Sequence, residues 1–163
     1  MEILRKYIKD PAITTDIIVG FPGETEEEFK TTCDFAKKVS FAQIHVFKYS
    51  RRHGTVADRM EDQVDEQVKN SRSDRLLAIE AELEKQYQQK FPDQTQKVLI
   101  EEPVLIEGTK YLVGYNERYV RIAVPYEEGV SDESLCNSLI DVHINGSLEG
   151  DILLGKRERA CNL

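Results

Sequence analysis

Two glycine-bearing stretches carry residues that could hold a flat, charged ligand: Gly20-Phe21-Pro22-Gly23-Glu24 and Tyr49-Ser50-Arg51-Arg52-His53-Gly54-Thr55. Glycine lets the backbone approach an adenine ring, neighbouring Ile and Val offer apolar faces, and arginine can pair with a carboxylate through two hydrogen bonds. A phosphate loop is excluded. Neither G-x-x-x-x-G-K-[ST] nor G-x-G-x-x-G occurs, and Glu26, Glu27 and Glu28 follow the first turn where free amide donors would be needed. The bland alternative, a tight strand-to-helix turn followed by a solvated basic loop, fits the same residues. A third cluster, Arg118, Tyr119 and Arg121, interleaves base-stacking and phosphate-pairing groups on what reads as one strand, with Tyr111 and Tyr115 nearby. His45, His53 and His143 have no partners at metal-ligand spacing, and structural roles are expected for the strand residues His45 and His143.

The elements that must position these groups can be read from periodicity. "PAITTDIIVG" (11–20) is a β-branched run of the kind covered on both faces. Thr25 and Glu28 then stand at capping-box spacing and open a helix over 26–39, with Phe29, Cys33, Phe35, Ala36 and Val39 as its apolar face. "AQIHVFKYS" (42–50) is a second strand, so strand, helix and strand make a βαβ unit with parallel strands. Such strands present ligands at their C-terminal ends, where both glycine stretches lie. Gly54 is expected at a special backbone angle. Leu76, Ile79, Leu83, Tyr87 and Phe91 then form one helical stripe over about 65–91, stopping before Pro92 and long enough to bridge two domains. Five short strands follow: "QKVLIEE", "KYLVGYN", "RYVRIAVP", "SLIDVHIN" and "DILLGKR". They suit a small OB-like barrel.

Composition narrows the class. The chain has 163 residues, 40% apolar and 32% charged, with net charge −8, as in a globular protein that does not bind nucleic acid by bulk electrostatics. No run approaches a transmembrane helix and no secretory leader is visible, so a cytoplasmic protein without membrane contact is expected. Cys33, Cys136 and Cys161 form neither a disulfide framework nor a C-x-x-C knuckle and are read as reduced thiols. Residues 96–163 carry seven basic against twelve acidic side chains, including Arg159, so any RNA binding by this part should be weak and salt-sensitive.

"ITTDIIVGFPGETEEEF" and then "HVFKYSRRHGTVADRM", followed by a long helix and a β-rich tail, resemble the radical-SAM tRNA methylthiotransferases over essentially the whole chain. Arg51 and His53 around Arg52 look most like the branch acting on N6-threonylcarbamoyladenosine; the sister branch, acting on isopentenyladenosine, more usually has "YSPRPGT". The resemblance implies α/β followed by all-β. Residues 1–64 would be the last two strand–helix units of a partial TIM-like radical-SAM barrel, 65–92 a long linking helix, and 93–163 a TRAM-like RNA-binding β-barrel. It further implies that Gly20, Phe21, Gly23 and Tyr49 wall the S-adenosylmethionine adenosyl group. Arg52 becomes a charge partner for substrate or cofactor, with Asp16 and Glu24 weaker candidates. The cofactors of the full-length enzyme would be S-adenosylmethionine and 4Fe-4S clusters; the C-x-x-x-C-x-x-C that holds one cluster has no counterpart here, so this chain alone is expected to hold none and to be inactive. Implied partners are tRNA and the missing N-terminal part of the same enzyme. A stand-alone RNA-binding or adaptor module is the alternative. Against it, two parallel strands alone leave exposed apolar edges through which the chain is expected to self-associate.

Overall fold

The computed structural model describes residues 1–148 and 151–158. Arg159 and Cys161 lie outside the described residues. The chain divides into two compact units, Met1–Tyr87 and Gln88–Leu163.

The first unit contains helix α1 (Glu2–Tyr7), strand β1 (Thr14–Val19), helix α2 (Glu26–Val39), strand β2 (Gln43–Lys48) and nearly all of helix α3 (Glu66–Gln88). β1 and β2 pair in parallel from Thr14↔Gln43 to Val19↔Lys48, as the βαβ reading requires. α2 begins at a complete capping box, Thr25 with Glu28, and ends at Ser40 in the left-handed region. Two helix-end problems, orphan amides at the start and orphan carbonyls at the end, are thereby met locally. Phe29, Cys33, Ala36 and Val39 pack with Val19, Phe41 and Ile44 and with Leu76 and Leu83 of α3 into one core.

Three expectations are corrected here. β1 is covered on one face only: Val19 is buried and Thr15 and Ile17 half-buried, while Thr14, Asp16 and Ile18 are exposed. Helices α2 and α3 pack on a single side, so β-branched composition overstated the cover; Ile18 and its cross-strand neighbour Phe47 stand together on the open face, each about half exposed. Phe35 is also exposed, because its position lies off the stripe marked by Phe29, Cys33, Ala36 and Val39, and it only meets the edge of Phe41. α3 stops at Gln88, three residues short of Phe91. There Phe91 N–H turns back onto the Gln88 carbonyl, and Asp93 takes a positive φ of 60°. Among the described residues no helix is long and apolar enough to cross a membrane.

The second unit is a closed five-stranded barrel, as the strand count suggested. Strands β3 (Thr95–Ile106), β4 (Thr109–Asn116), β5 (Arg121–Pro125), β6 (Leu139–Ser147) and β7 (Leu153–Arg157) close in the order β3-β4-β5-β7-β6. All pairings are antiparallel except β5 with β7. Val98, Ile100, Leu112, Ile122, Val124, Val142 and Ile144 are fully buried and fill its interior. Gly114 allows the closest backbone approach: a Cβ there would lie 1.9 Å from the Leu99 carbonyl oxygen.

Candidate functional site

The two glycine stretches come together at the C-terminal ends of β1 and β2. Tyr49 N–H donates to the Val19 carbonyl (2.9 Å), extending the parallel pairing by one residue and setting Tyr49 beside the first turn. The Phe21 and Tyr49 rings meet edge to face with centroids 5.3 Å apart. Phe21 stays 45% exposed, and this aromatic corner stands next to the backbone of Gly20. Tyr49 Oη is buried without a hydrogen-bond partner among the described residues.

Two positive-φ glycines shape the first turn, Gly20 at 71° and Gly23 at 83°. Gly23 is also held from outside: its N–H donates to the Asp62 carbonyl (2.9 Å), and a Cβ would lie 2.5 Å from Asp62 Oδ2. The stretch after Gly54 thus reaches back to the first turn. Gln63 Nε2 braces it by donating to the carbonyls of Ala57 and Met60. Gly54 itself has φ +86°, as expected. Beside it Arg51 pairs with Asp58 (3.1 Å), His53 Nδ1 lies 3.8 Å from the same carboxylate, and Thr55 Oγ1 donates to the Arg52 carbonyl. Arg52 is exposed and its guanidinium makes no hydrogen bond or ion pair among the described residues. The loop therefore ties down both neighbours of Arg52 and leaves its charge available.

Beneath the turn lies a residue that the sequence reading missed. Arg72 of α3 is 4% exposed. Its Nη1 donates to Glu24 Oε2 (2.6 Å) and to the Glu24 carbonyl (3.0 Å), while Glu24 Oε2 accepts the Gly20 N–H at 2.7 Å. Glu24 is thus a turn support. Arg72 Nε lies 3.5 Å from Glu26, which Arg75 grips at 2.6 Å, and both guanidinium groups lie over the Phe29 ring. The Arg75 hydrogen bond leads in holding the Glu26 carboxyl below the usual carboxylate range. Lys69, one turn upstream, bonds Glu66 (2.8 Å) and the Tyr49 carbonyl (3.4 Å); with Lys48 it keeps the Glu66 carboxyl low. The usable signal was phase: Arg72 continues the stripe of Leu76, Ile79 and Leu83 one turn upstream, and a charge on a buried face requires a partner.

Asp16, exposed on the open face of β1 opposite His45, is not part of this corner. In the barrel the structure separates the proposed strand cluster. Only Arg121 lies on β5; Arg118 and Tyr119 occupy the preceding turn, with Tyr119 at φ +58°. Tyr115 does stand by Tyr119, centroids 5.8 Å apart, whereas Tyr111 packs into a buried cluster with Val113, Ala123 and Ile152. Among the described residues no three His, Cys, Asp or Glu side chains converge as metal ligands, and Cys33 and Cys136 belong to different units. The two described cysteines do not supply the thiolate set of a four-iron cluster.

No family model matches the chain. Individual relatives do. Over 120 residues, 73% of this chain, it is 46% identical to the threonylcarbamoyladenosine tRNA methylthiotransferase of Bacillus subtilis, covering 27% of that protein. It is 42% identical to the tRNA-2-methylthio-N(6)-dimethylallyladenosine synthase of Acetivibrio thermocellus over 92% of this chain and 31% of the relative. The ribosomal protein uS12 methylthiotransferase of Clostridium kluyveri is 38% identical over 92% of this chain and 33% of its own length. The chain thus spans about a third of the length of these curated relatives. Three different targets appear in these names, but they share one chemistry, and on that ground the chain belongs to the methylthiotransferase family, corresponding to the C-terminal portion of its enzymes.

Proposed function

We propose that this chain is the C-terminal part of a cytoplasmic radical-SAM enzyme that methylthiolates C2 of N6-threonylcarbamoyladenosine next to the tRNA anticodon. The observation that carries the reading is the meeting of Gly20–Gly23, Tyr49 and the Asp62 loop at one end of two parallel strands, with Arg52 three residues beyond Tyr49 in the chain. In this reading residues 1–64 complete a radical-SAM barrel, 65–92 form the long helix, and 93–163 form a TRAM-like barrel that binds RNA.

Each residue at the corner has a part. Gly20 and Gly23 supply the left-handed backbone of the turn and let Lys69 and Asp62 pack against it, which sets the turn beside the adenosyl group. Phe21 and Tyr49 give it an apolar, water-excluding wall, and Arg52 pairs with a carboxylate of cofactor or substrate. S-adenosylmethionine bound at this corner would supply radical chemistry once given one electron by an iron–sulfur cluster, which the missing part of the enzyme would hold. Arg118, Tyr119 and Arg121 are the RNA-facing residues of the barrel. The rest of the enzyme would cover the open face of β1 and β2, where Ile18 and Phe47 stand exposed.

The relative named for threonylcarbamoyladenosine supports the first target, at 46% identity. The dimethylallyladenosine synthase matches a longer stretch at 42% and supports the sister substrate as a second reading. Anaerobic turnover by the enzyme expressed from its native gene tests both. Supplied with tRNA bearing one or the other modified adenosine, it should yield the 2-methylthio form of threonylcarbamoyladenosine, read by nucleoside mass spectrometry. Product from isopentenyladenosine alone would move the assignment to the sister branch, and no methylthiolated nucleoside from either would reject a tRNA target.

A further inference from the structure

The turn joining β4 to β5 holds an aromatic ring away from the protein at a conformational cost. Tyr119 is 85% exposed, more than any other large hydrophobic side chain among the described residues. Its φ of +58° lies in the left-handed region, which a bulky side chain occupies only when its surroundings impose it. Asn116 imposes it. This side chain sits in a residue only 5% exposed, and its Oδ1 accepts the N–H groups of both Arg118 (2.9 Å) and Val120 (3.0 Å). Its carbonyl accepts the Tyr119 N–H (3.0 Å), its own N–H donates to Val120 (3.2 Å), and its Nδ2 donates to Gln96 Oε1 (3.2 Å). Every residue from 118 to 120 is thus bonded to one buried asparagine.

A turn of this shape would be better served by glycine or asparagine at 119, and a tyrosine gains almost no burial there. The ring has company chosen for a ligand. Tyr115 stands 5.8 Å away, tilted by 44°, and directly across the ladder from Tyr115 is Arg121, half-buried with Nε unpaired among the described residues. With bulk charge unfavourable in this part of the chain, contact by a ring face must supply what electrostatics does not.

We propose that Tyr119 is a stacking platform for one unpaired base of an RNA strand, that Arg121 takes the adjacent phosphate, and that Asn116 is the positioning residue that presents the ring. The inference rests on the reading of the barrel as RNA-binding and names the feature of RNA that it recognises. Stacking is tolerant of base identity but needs a free face, so single strands are preferred to duplexes.

The test uses the full chain with a fluorescein-labelled oligoadenylate, alone or annealed to oligouridylate, in anisotropy titrations over a range of salt. Tyr119→Ala should weaken single-strand binding about tenfold and leave the salt slope unchanged, while Tyr119→Phe keeps wild-type affinity. Arg121→Gln should lower the slope of log affinity against log salt by about 0.7, one phosphate contact on a single strand. Asn116→Ala should lose about as much as Tyr119→Ala, with no further loss in the double variant. Wild-type affinity in Tyr119→Ala, or equal binding of the duplex, overturns the platform while leaving RNA binding standing. Failure of the wild-type chain to bind either oligonucleotide or tRNA removes the RNA-binding reading, and the platform with it.

Discussion

The turn at Gly20–Glu24 and the turn at Asn116–Val120 solve the same problem in opposite directions. Each uses left-handed backbone, and in each a single polar side chain accepts backbone N–H groups: Glu24 from Gly20, Asn116 from Arg118 and Val120. In the first the positive-φ residues are glycines, which bear it freely, and the acceptor is fastened from below by the buried Arg72. In the second the positive-φ residue is a tyrosine, and its ring points into water. One turn is packed closely by Lys69 and Asp62 at its glycines, the other projects a ring. The first turn carries no strain at its positive-φ positions; the second holds a bulky residue in a costly conformation.

The largest effect should come from the fastening. Arg72→Ala leaves the half-buried Glu24 beside Gly20 without its cation, and removing one partner of a buried pair typically costs up to about 3–5 kcal/mol. Urea unfolding of the first unit should show this loss, with Arg72→Lys recovering only part: an ammonium can replace the two Nη1 bonds to Glu24 but not the Nε approach to Glu26 or the guanidinium face over Phe29. A loss below about 1 kcal/mol would mean that the pair behaves as a surface ion pair.

Gly20→Ala comes next. The new Cβ would lie 2.1 Å from Lys69 Cγ at φ +71°, so Lys69 must leave its place between Glu66 and the Tyr49 carbonyl. With left-handed strain included, about 1–3 kcal/mol is expected. Gly54→Ala is the control, because φ there is also positive but nothing lies within 4 Å of a Cβ.

The smallest effect is electrostatic. Glu26, Glu28 and Glu66 all have carboxyls held below their ordinary range: Glu26 chiefly by Arg75, Glu28 by the Thr25 backbone N–H, Glu66 by Lys69. A folded-state value below the unfolded one stabilises above the unfolded pKa and is lost as pH falls through the folded one. Stability of the first unit should therefore hold from neutrality to about pH 4.3 and decline below it. Glu26→Gln should flatten the decline slightly, and added salt should shrink the difference, because these carboxylates are exposed. A decline that began near neutrality would assign it to other groups.

Local signals were legible. The Thr25–Glu28 capping box, the two parallel strands and all five barrel strands declare themselves in spacing and alternation over a few residues. What was hidden is long-range. Arg72 meets Glu24 across 48 residues, and Asp62 meets Gly23 across a loop, so neither contact has a local pattern. β1 looked two-sided because β-branched residues suit a strand whatever covers it. Arg118-Tyr119-Val120-Arg121 imitates strand alternation, and only the bonds of Asn116 reveal a turn. That Phe21 and Tyr49 meet follows from their places at the C-terminal ends of adjacent parallel strands; the support of that turn by Arg72 does not.

The contrast between the two turns is tested most directly by Tyr119→Gly, measuring thermal unfolding of the barrel and affinity for single-stranded RNA on the same protein. Glycine relieves the left-handed strain and removes the ring, so the melting temperature should rise while affinity falls. A melting temperature that drops, or an affinity that stays, would contradict the account: the tyrosine would then be holding the turn instead of being held out by it.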